Sequence, residues 1–152
     1  MNSNPNLDKV DTEIVRILQR DGRTPNTEIA KRLNVSESTV RNRITRLTEN
    51  QVIQIVAVAD PFKLGLDVAA TIRIQADVKK VKQIGEELCR ITDIWYIALA
   101  SGQSTIEARV YTKNINQLHQ LLEEKIWPID GIEQTDTSVI LSFLKREYCW
   151  DF

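Results

Sequence analysis

Apolar side chains recur at helical spacing in the first third of the chain and at strand spacing in most of the remainder. Ile14, Ile17 and Leu18 predict a helix over 12–20, with Asp11 as its N-cap and Asp21-Gly22 as its stop, Gly22 being free to take positive φ. Ile29, Ala30 and Leu33 make a second, short stripe. It follows Thr24-Pro25, and proline is tolerated in a first helical turn. Asn34 falls just past Leu33, where a left-handed residue ends many helices. Val40, Ile44 and Leu47 step by four and three along one face of a third helix, with Ser36 as its N-cap. At about 100° per residue, Ser38, Asn42 and Thr45 lie nearly opposite that face, flanked by Arg41 and Arg46. Arg43 lies nearer the buried side, which gives it a half-structural role. Three helices with the third presented outward predict a helix-turn-helix whose last member reads DNA: arginines on phosphates, hydroxyls and an amide on base edges.

Beyond Asn50 the pattern changes. Val52-Ile53 and 55–59 are β-branched and apolar, which predicts a strand pair and hence a winged helix-turn-helix. Such strands are too short to be stable without a partner. Asp60-Pro61 breaks them, and Leu64-Gly65-Leu66 forms a hinge-like segment. A strand over 68–75 follows, then a helix from Asp77 carrying Val81, Ile84, Leu88 and Ile91. Strands over 94–100 and 105–111 come next. Ile115, Leu118, Leu121, Leu122 and Ile126 mark another helix, ended by Trp127-Pro128, and after a turn at Gly131 the last strand covers 137–144. The order βαββαβ predicts a ferredoxin-like antiparallel sheet with two helices on one face. Ile, Val and Trp occupy enough positions that the open face is expected to need covering, most economically by a second sheet in a symmetric dimer. That dimer would present two reading helices to half-sites about one DNA turn apart. The expected fold class is therefore α+β, with a DNA-binding domain over 7–67 and a ferredoxin-like domain over 68–152.

Charge sharpens this picture. From Lys31 to Leu47 there are five bases and one acid, a local charge of +4, whereas 51–152 carries a net −3 and the whole chain −1. A basic patch on an acidic molecule localises attraction to polyanions. So weak a basicity overall argues against a histone-like protein. The two cysteines, Cys89 and Cys149, fit no metal-ligand spacing; both are expected to be reduced thiols of a cytoplasmic protein, Cys89 in the core. The N-terminal stretch has no charged leader followed by an apolar run, and no apolar segment approaches the ~20 residues of a membrane span.

The motifs LDKVDTEIVRIL, DGR at 21–23 and EIAKRLNVSESTVRNRITRL resemble those of the Lrp/AsnC family of bacterial and archaeal transcription factors. The resemblance covers nearly the whole chain, including Asp60-Pro61, Leu64-Gly65, Gly102, Gly131 and TDTSVIL. Ser36, Thr39, Val40, Arg43, Arg46 and Leu47 stand at the places expected of the family's helix-turn-helix. The resemblance implies a homo-oligomeric regulator of double-stranded DNA whose second half, the RAM domain, binds a free amino acid at the contact between dimers. Together with the outward face read from the helical spacing, it places DNA contacts on Ser36, Ser38, Thr39, Arg41, Asn42, Arg43, Thr45 and Arg46. It places an effector at Gly102, Gln103, Ser104 and Thr105, with Thr135 and Thr137 nearby. Three positions depart from the family pattern. Gln51 stands where a glycine is usual, leaving Asn50 to take the left-handed turn; Asp93 replaces another glycine; Thr105 replaces the aspartate of a Gly-x-x-Asp loop.

Two rival readings have less support. An enzyme would have to rest on the single His119, expected on the polar side of its helix; no Ser-His-Asp set, metal cluster or phosphate loop accompanies it, and no cofactor is expected. A ligand-sensing or assembly module would have no use for a helix-turn-helix. Trp95, Tyr96 and Trp127 are expected in core or interface, and the aromatics of KREYCWDF against a neighbouring subunit.

Overall fold

The computed structural model of the chain describes residues 6–146. Cys149 and the aromatics Tyr148, Trp150 and Phe152 lie outside the described residues. The chain divides into two compact units, with a break between Val58 and Ala59; the second unit is Ala59–Leu144.

The first unit holds three helices, α1 (Lys9–Arg20), α2 (Asn26–Leu33) and α3 (Glu37–Glu49). Asp8, not Asp11, caps α1. Its side chain accepts from the Asp11 N–H, and the Asp11 side chain accepts from the Asp8 N–H, a reciprocal capping box. The helix therefore starts one turn earlier than its apolar stripe suggests. It ends on an extended Asp21, and Gly22 is not among the positive-φ glycines. Asn34 takes the left-handed conformation (φ 52°) after α2, as its position predicts. Ser36 caps α3, its Oγ accepting from the Thr39 N–H at 3.0 Å. At the far end it is Gln51 (φ 57°), not Asn50, that turns left-handed. The Val52 N–H donates to the Leu47 carbonyl at 2.9 Å, a Schellman closure that needs the left-handed residue directly before Val52. Ile14, Val15, Ile29, Ala30, Val40 and Leu47 form the core of this unit.

The strands expected over 52–59 are not formed, and 53–60 carries neither helix nor strand. A strand needs a ladder partner for its N–H and C=O groups, and the described residues supply none here. Val52 and Ile53 instead pack on the helical core.

In the second unit a short 3-10 turn (Pro61–Leu64), closed by a left-handed Gly65, leads into β1 (Val68–Ala76), α4 (Val81–Cys89), β2 (Ile94–Leu99), β3 (Ile106–Thr112), α5 (Ile115–Leu121) and β4 (Ile132–Val139). The strands pair antiparallel in the order β2-β3-β1-β4, the ferredoxin-like layout. β4 begins five residues earlier than expected and stops before the apolar run at 140–144, because its pairing with β1 sets its length. α5 continues as a π-helical turn, Leu122–Ile126, where the Trp127 N–H reaches the Leu122 carbonyl. The wider turn lets the adjacent Leu121 and Leu122 both stay buried, whereas Ile115 is exposed. Cys89 is exposed too, contrary to expectation: α4 buries Ile84 and Leu88, and Cys89 points about 100° away from Leu88.

Aliphatic residues of the sheet are gathered on its helix-covered face: Ala70, Ile72 and Ile74 of β1 pair with Val110, Ala108 and Ile106 of β3. The opposite face differs from the apolar surface that the sequence predicts. Thr71, Arg73 and Gln75 alternate with the buried set, opposite Arg109, Glu107 and Asp136 on the flanking strands. Aromatics cover only one end of this face, where Trp95 stacks on Tyr111 at 5.8 Å and Phe62 meets Tyr111 edge-on at 6.1 Å. A bulge between Ile94 and Tyr96 places Trp95 and Tyr96 side by side.

Candidate nucleic-acid interface and ligand cleft

α3 follows α2 after a tight turn and buries Val40 and Leu47. Its outer face carries Ser38, Arg41, Asn42 and Thr45, all exposed. Among the described residues, the side chains of Asn42 and Thr45 make no hydrogen bond, so their donors and acceptors face solvent unused. Ser36, Ser38 and Thr39 form a hydroxyl cluster at the helix N-terminus, with Oγ of Ser36 2.8 Å from Ser38 and 2.7 Å from Thr39. Orphan N–H groups of this first turn add partial positive charge there. Arg41 pairs with Glu37 at 2.7 Å, one turn earlier and well exposed; pairs of this kind contribute little and open readily.

Arg43 and Arg46 project toward α1. Nη1 of Arg43 donates to Asp8 at 2.6 Å and to Asp11 at 2.9 Å, and Nη2 of Arg46 donates to Asp11 at 2.5 Å. Hydrogen bonding from Arg43 holds the Asp8 carboxyl below the usual carboxylate range, and the same bonds raise Arg43 further. Arg43 is a quarter exposed and Arg46 about half, in keeping with the half-structural role expected of the former. The acids that hold both arginines were not among the site residues expected from sequence. The spacing Asp8–Asp11 signals a capping box, but nothing local links it to positions more than thirty residues away.

The second unit carries a half-open cleft of about 880 Å³ at one end of the polar sheet face. Of the expected effector residues, Gln103 and Ser104 line it. Gly102 sits in the adjoining loop at φ 122°, a conformation that favours glycine. Thr105 is tied into the sheet: its N–H donates to the Ile74 carbonyl at 2.9 Å, and its own carbonyl accepts from Ala100 at 3.0 Å. Thr135 and Thr137 belong to the other side. They pair with Ile74 and Ile72 on the helix-covered face, and Oγ1 of Thr135 accepts from Trp127 Nε1 at 3.0 Å. Since neighbouring residues of a strand face opposite ways, it is Gln134 and Asp136 that reach the cleft. Arg73 joins them, donating twice to Asp136 at 3.0 and 2.7 Å and once to Ser138 at 2.8 Å, and Glu107 completes the charged lining. One guanidinium and two carboxylates thus face one polar space.

His119, the only histidine, is exposed on α5, its Nε2 3.6 Å from Glu123. Among the described residues no group of His, Cys, Asp and Glu has metal-ligand geometry, and no helix is long and apolar enough to cross a membrane.

Residues 7–48 match the AsnC-type helix-turn-helix domain, and residues 69–149 match the Lrp/AsnC ligand binding domain. The chain is 40% identical to the HTH-type transcriptional regulator PH0140 of Pyrococcus horikoshii over 143 residues, covering 93% of this chain and 90% of that protein. Among solved structures it is similar to Escherichia coli AsnC, with a TM-score of 0.87 at 26% identity, covering 94% of this chain and 97% of that one. The transcriptional regulator NMB0573 of Neisseria meningitidis, crystallised with L-Met, shares the fold with a TM-score of 0.87 at 20% identity, covering 95% and 96%.

Proposed function

We propose, for a chain that belongs to the Lrp/AsnC family of DNA-binding transcriptional regulators and not to an enzyme family, that α3 enters the major groove of an operator and reads it through Ser38, Asn42 and Thr45. The observation that carries this reading is the outer face of α3, where unused amide and hydroxyl groups sit between guanidinium groups. Base edges take the amide and hydroxyls, phosphates take the arginines, and the capped N-terminus with Ser36 and Thr39 adds an anion-facing end. DNA reading belongs to 7–67, and assembly with ligand sensing to 68–152. The functional unit is a homo-oligomer, because one α3 contacts one half-site and a two-fold dimer doubles it at the spacing of a DNA turn.

The test is a gel shift on a duplex enriched by the protein from a random library, repeated over a range of salt. Arg41→Ala removes one phosphate contact, so the slope of log K against log[salt] is expected to fall by about 0.9. An unchanged slope would take Arg41 off the phosphates. A chain that enriches no duplex at all would end the reading.

A small amino-acid-like effector is the ligand we assign to the cleft. Arg73 suits a carboxylate, Glu107 and Asp136 suit an ammonium, and Gln75, Gln103 and Gln134 suit polar side-chain atoms. The L-Met complex of the distant Neisseria regulator is in keeping with this class. Thermal shift and light scattering across the twenty amino acids provide the check. A ligand at a hundred times its Kd stabilises by about 2.7 kcal/mol, a shift of about ten degrees or more for a unit of this size. Absence of any shift or change in assembly across the panel would remove amino acids as effectors.

A further inference from the structure

Both arginines on one flank of α3 are held by a carboxylate that belongs to another helix. Asp11 is fully buried, at the third position of α1. Its Oδ1 accepts from Arg43, and its Oδ2 accepts from Arg46 and from the Asp8 N–H. Arg43 has a second acid in Asp8, whereas Asp11 is the only acid within salt-bridge reach of Arg46 among the described residues. The Arg46 side chain is still 54% exposed, so part of its guanidinium is open to a ligand while another part is anchored. An arginine on a free stem must give up much rotamer freedom to make a directional contact; one already anchored has less to lose.

We propose that Asp11 is a positioning residue for sequence recognition: its buried carboxylate fixes the fork of Arg46 on the α1-facing flank of α3, so that operator discrimination depends on a residue without access to DNA. This rests on the DNA-reading role assigned above to α3. Two effects then separate. Attraction to any duplex follows from net charge and survives without the anchor. Discrimination between sequences requires Ser38, Asn42 and Thr45 to meet the bases in a fixed register, which an anchored phosphate contact by Arg46 sets, and it does not survive. Asp11→Asn keeps the shape and an acceptor oxygen for the cap but removes the charge that holds Arg46. The reading unit also becomes one charge more positive.

The experiment uses the full chain, the enriched duplex and a shuffled duplex of equal composition. Dissociation constants are measured for wild type, Asp11→Asn, Arg46→Lys and the double variant, each checked by its melting curve. Lysine keeps the charge of Arg46 but loses the planar fork. The expected result is a roughly tenfold fall in the ratio of shuffled to enriched Kd in each single variant. Binding of Asp11→Asn to the shuffled duplex stays equal or tightens, and the double variant falls no further than the single ones, because both substitutions remove the same contact. Losses that add in the double variant, or an unchanged ratio in a folded Asp11→Asn, overturn the proposal. Should Asp11→Asn not fold, Arg46→Lys decides: a tenfold fall supports the fixed fork, and an unchanged ratio overturns it. A wild-type chain that enriches no duplex is a different failure, that of the DNA-reading role itself.

Discussion

Leu47→Ala is expected to abolish operator binding while leaving the sheet unit folded. Leu47 is 1% exposed and sits on the inner face of α3 as one of the six buried side chains at the centre of the first unit's core. Truncating a buried leucine costs about 2–5 kcal/mol, from lost transfer free energy and the cavity left behind. A unit of this size has a total stability of a few kcal/mol at about 0.1 kcal/mol per residue, so the substitution takes most of it. The carbonyl of Leu47 also accepts from Val52 and Ile53, and the turn that ends α3 loosens with the helix. No DNA-facing side chain changes, yet the reading face is lost because its support is lost. A thermal scan read by circular dichroism and a gel shift on the enriched duplex check this together. Expected are an early transition from the helical unit, an unshifted one from the sheet, and no operator complex. Wild-type affinity in Leu47→Ala would mean that the first unit is held by something other than this core.

Gly131→Ala is the counterpart in the second unit and should lower its melting temperature by about ten degrees or more. Gly131 has φ 96°, a backbone conformation that side chains with a Cβ rarely adopt. A Cβ there would also lie 2.7 Å from Cδ of Lys80, 3.1 Å from its Cβ and 3.2 Å from Cδ1 of Ile84. The Lys80 Cδ can swing away if its exposed pair with Asp130 opens, but the Lys80 Cβ is fixed to the backbone and Ile84 is fully buried beneath the sheet. Conformational strain of about 1–2 kcal/mol and overpacking of about 1–3 kcal/mol act together. At about 4–8 °C per kcal/mol for a unit of this size, the sum comes to about ten degrees or more. Gly131 also accepts from the Asp77 N–H at 2.9 Å, so the turn before β4 and the start of the α4 segment shift together. β4 carries Gln134 and Asp136 to the cleft, and ligand response should weaken along with stability. A melting curve unchanged by the substitution would show that the turn can relax at no cost.

The candidate reader helix was legible in the sequence almost in full. Its apolar steps at Val40, Ile44 and Leu47, its cap at Ser36 and the left-handed Asn34 before it are local features, and local features suffice to predict a helix and the face it exposes. The βαββαβ order was legible for the same reason: each element announces itself by a period of about 3.6 or 2. The strands over 52–59 show where that reasoning stops, because β-branched residues describe a preference and a strand needs a partner to express it. Thr135 and Thr137, in the TDTSVIL strand, were expected near the effector at 102–105, and the pairing of β4 with β1 turns them to the helix side. Their neighbours Gln134 and Asp136, one position away, face the cleft instead.

Periodicity, caps and turn residues thus established which helices and strands exist, in what order, and that one helix offers a cationic, amide-bearing side. They could not establish which charges meet. Asp11 lies 35 positions from Arg46, and Arg73 lies 63 from Asp136. Such pairs depend on how helices cross and in what register strands align, and those follow from packing of the whole apolar set, not from any short window of residues. Burial, too, is a property of the assembled unit: Asp11 is fully buried and Cys89, expected in the core, is exposed, because the neighbours that cover a side chain come from elsewhere in the chain.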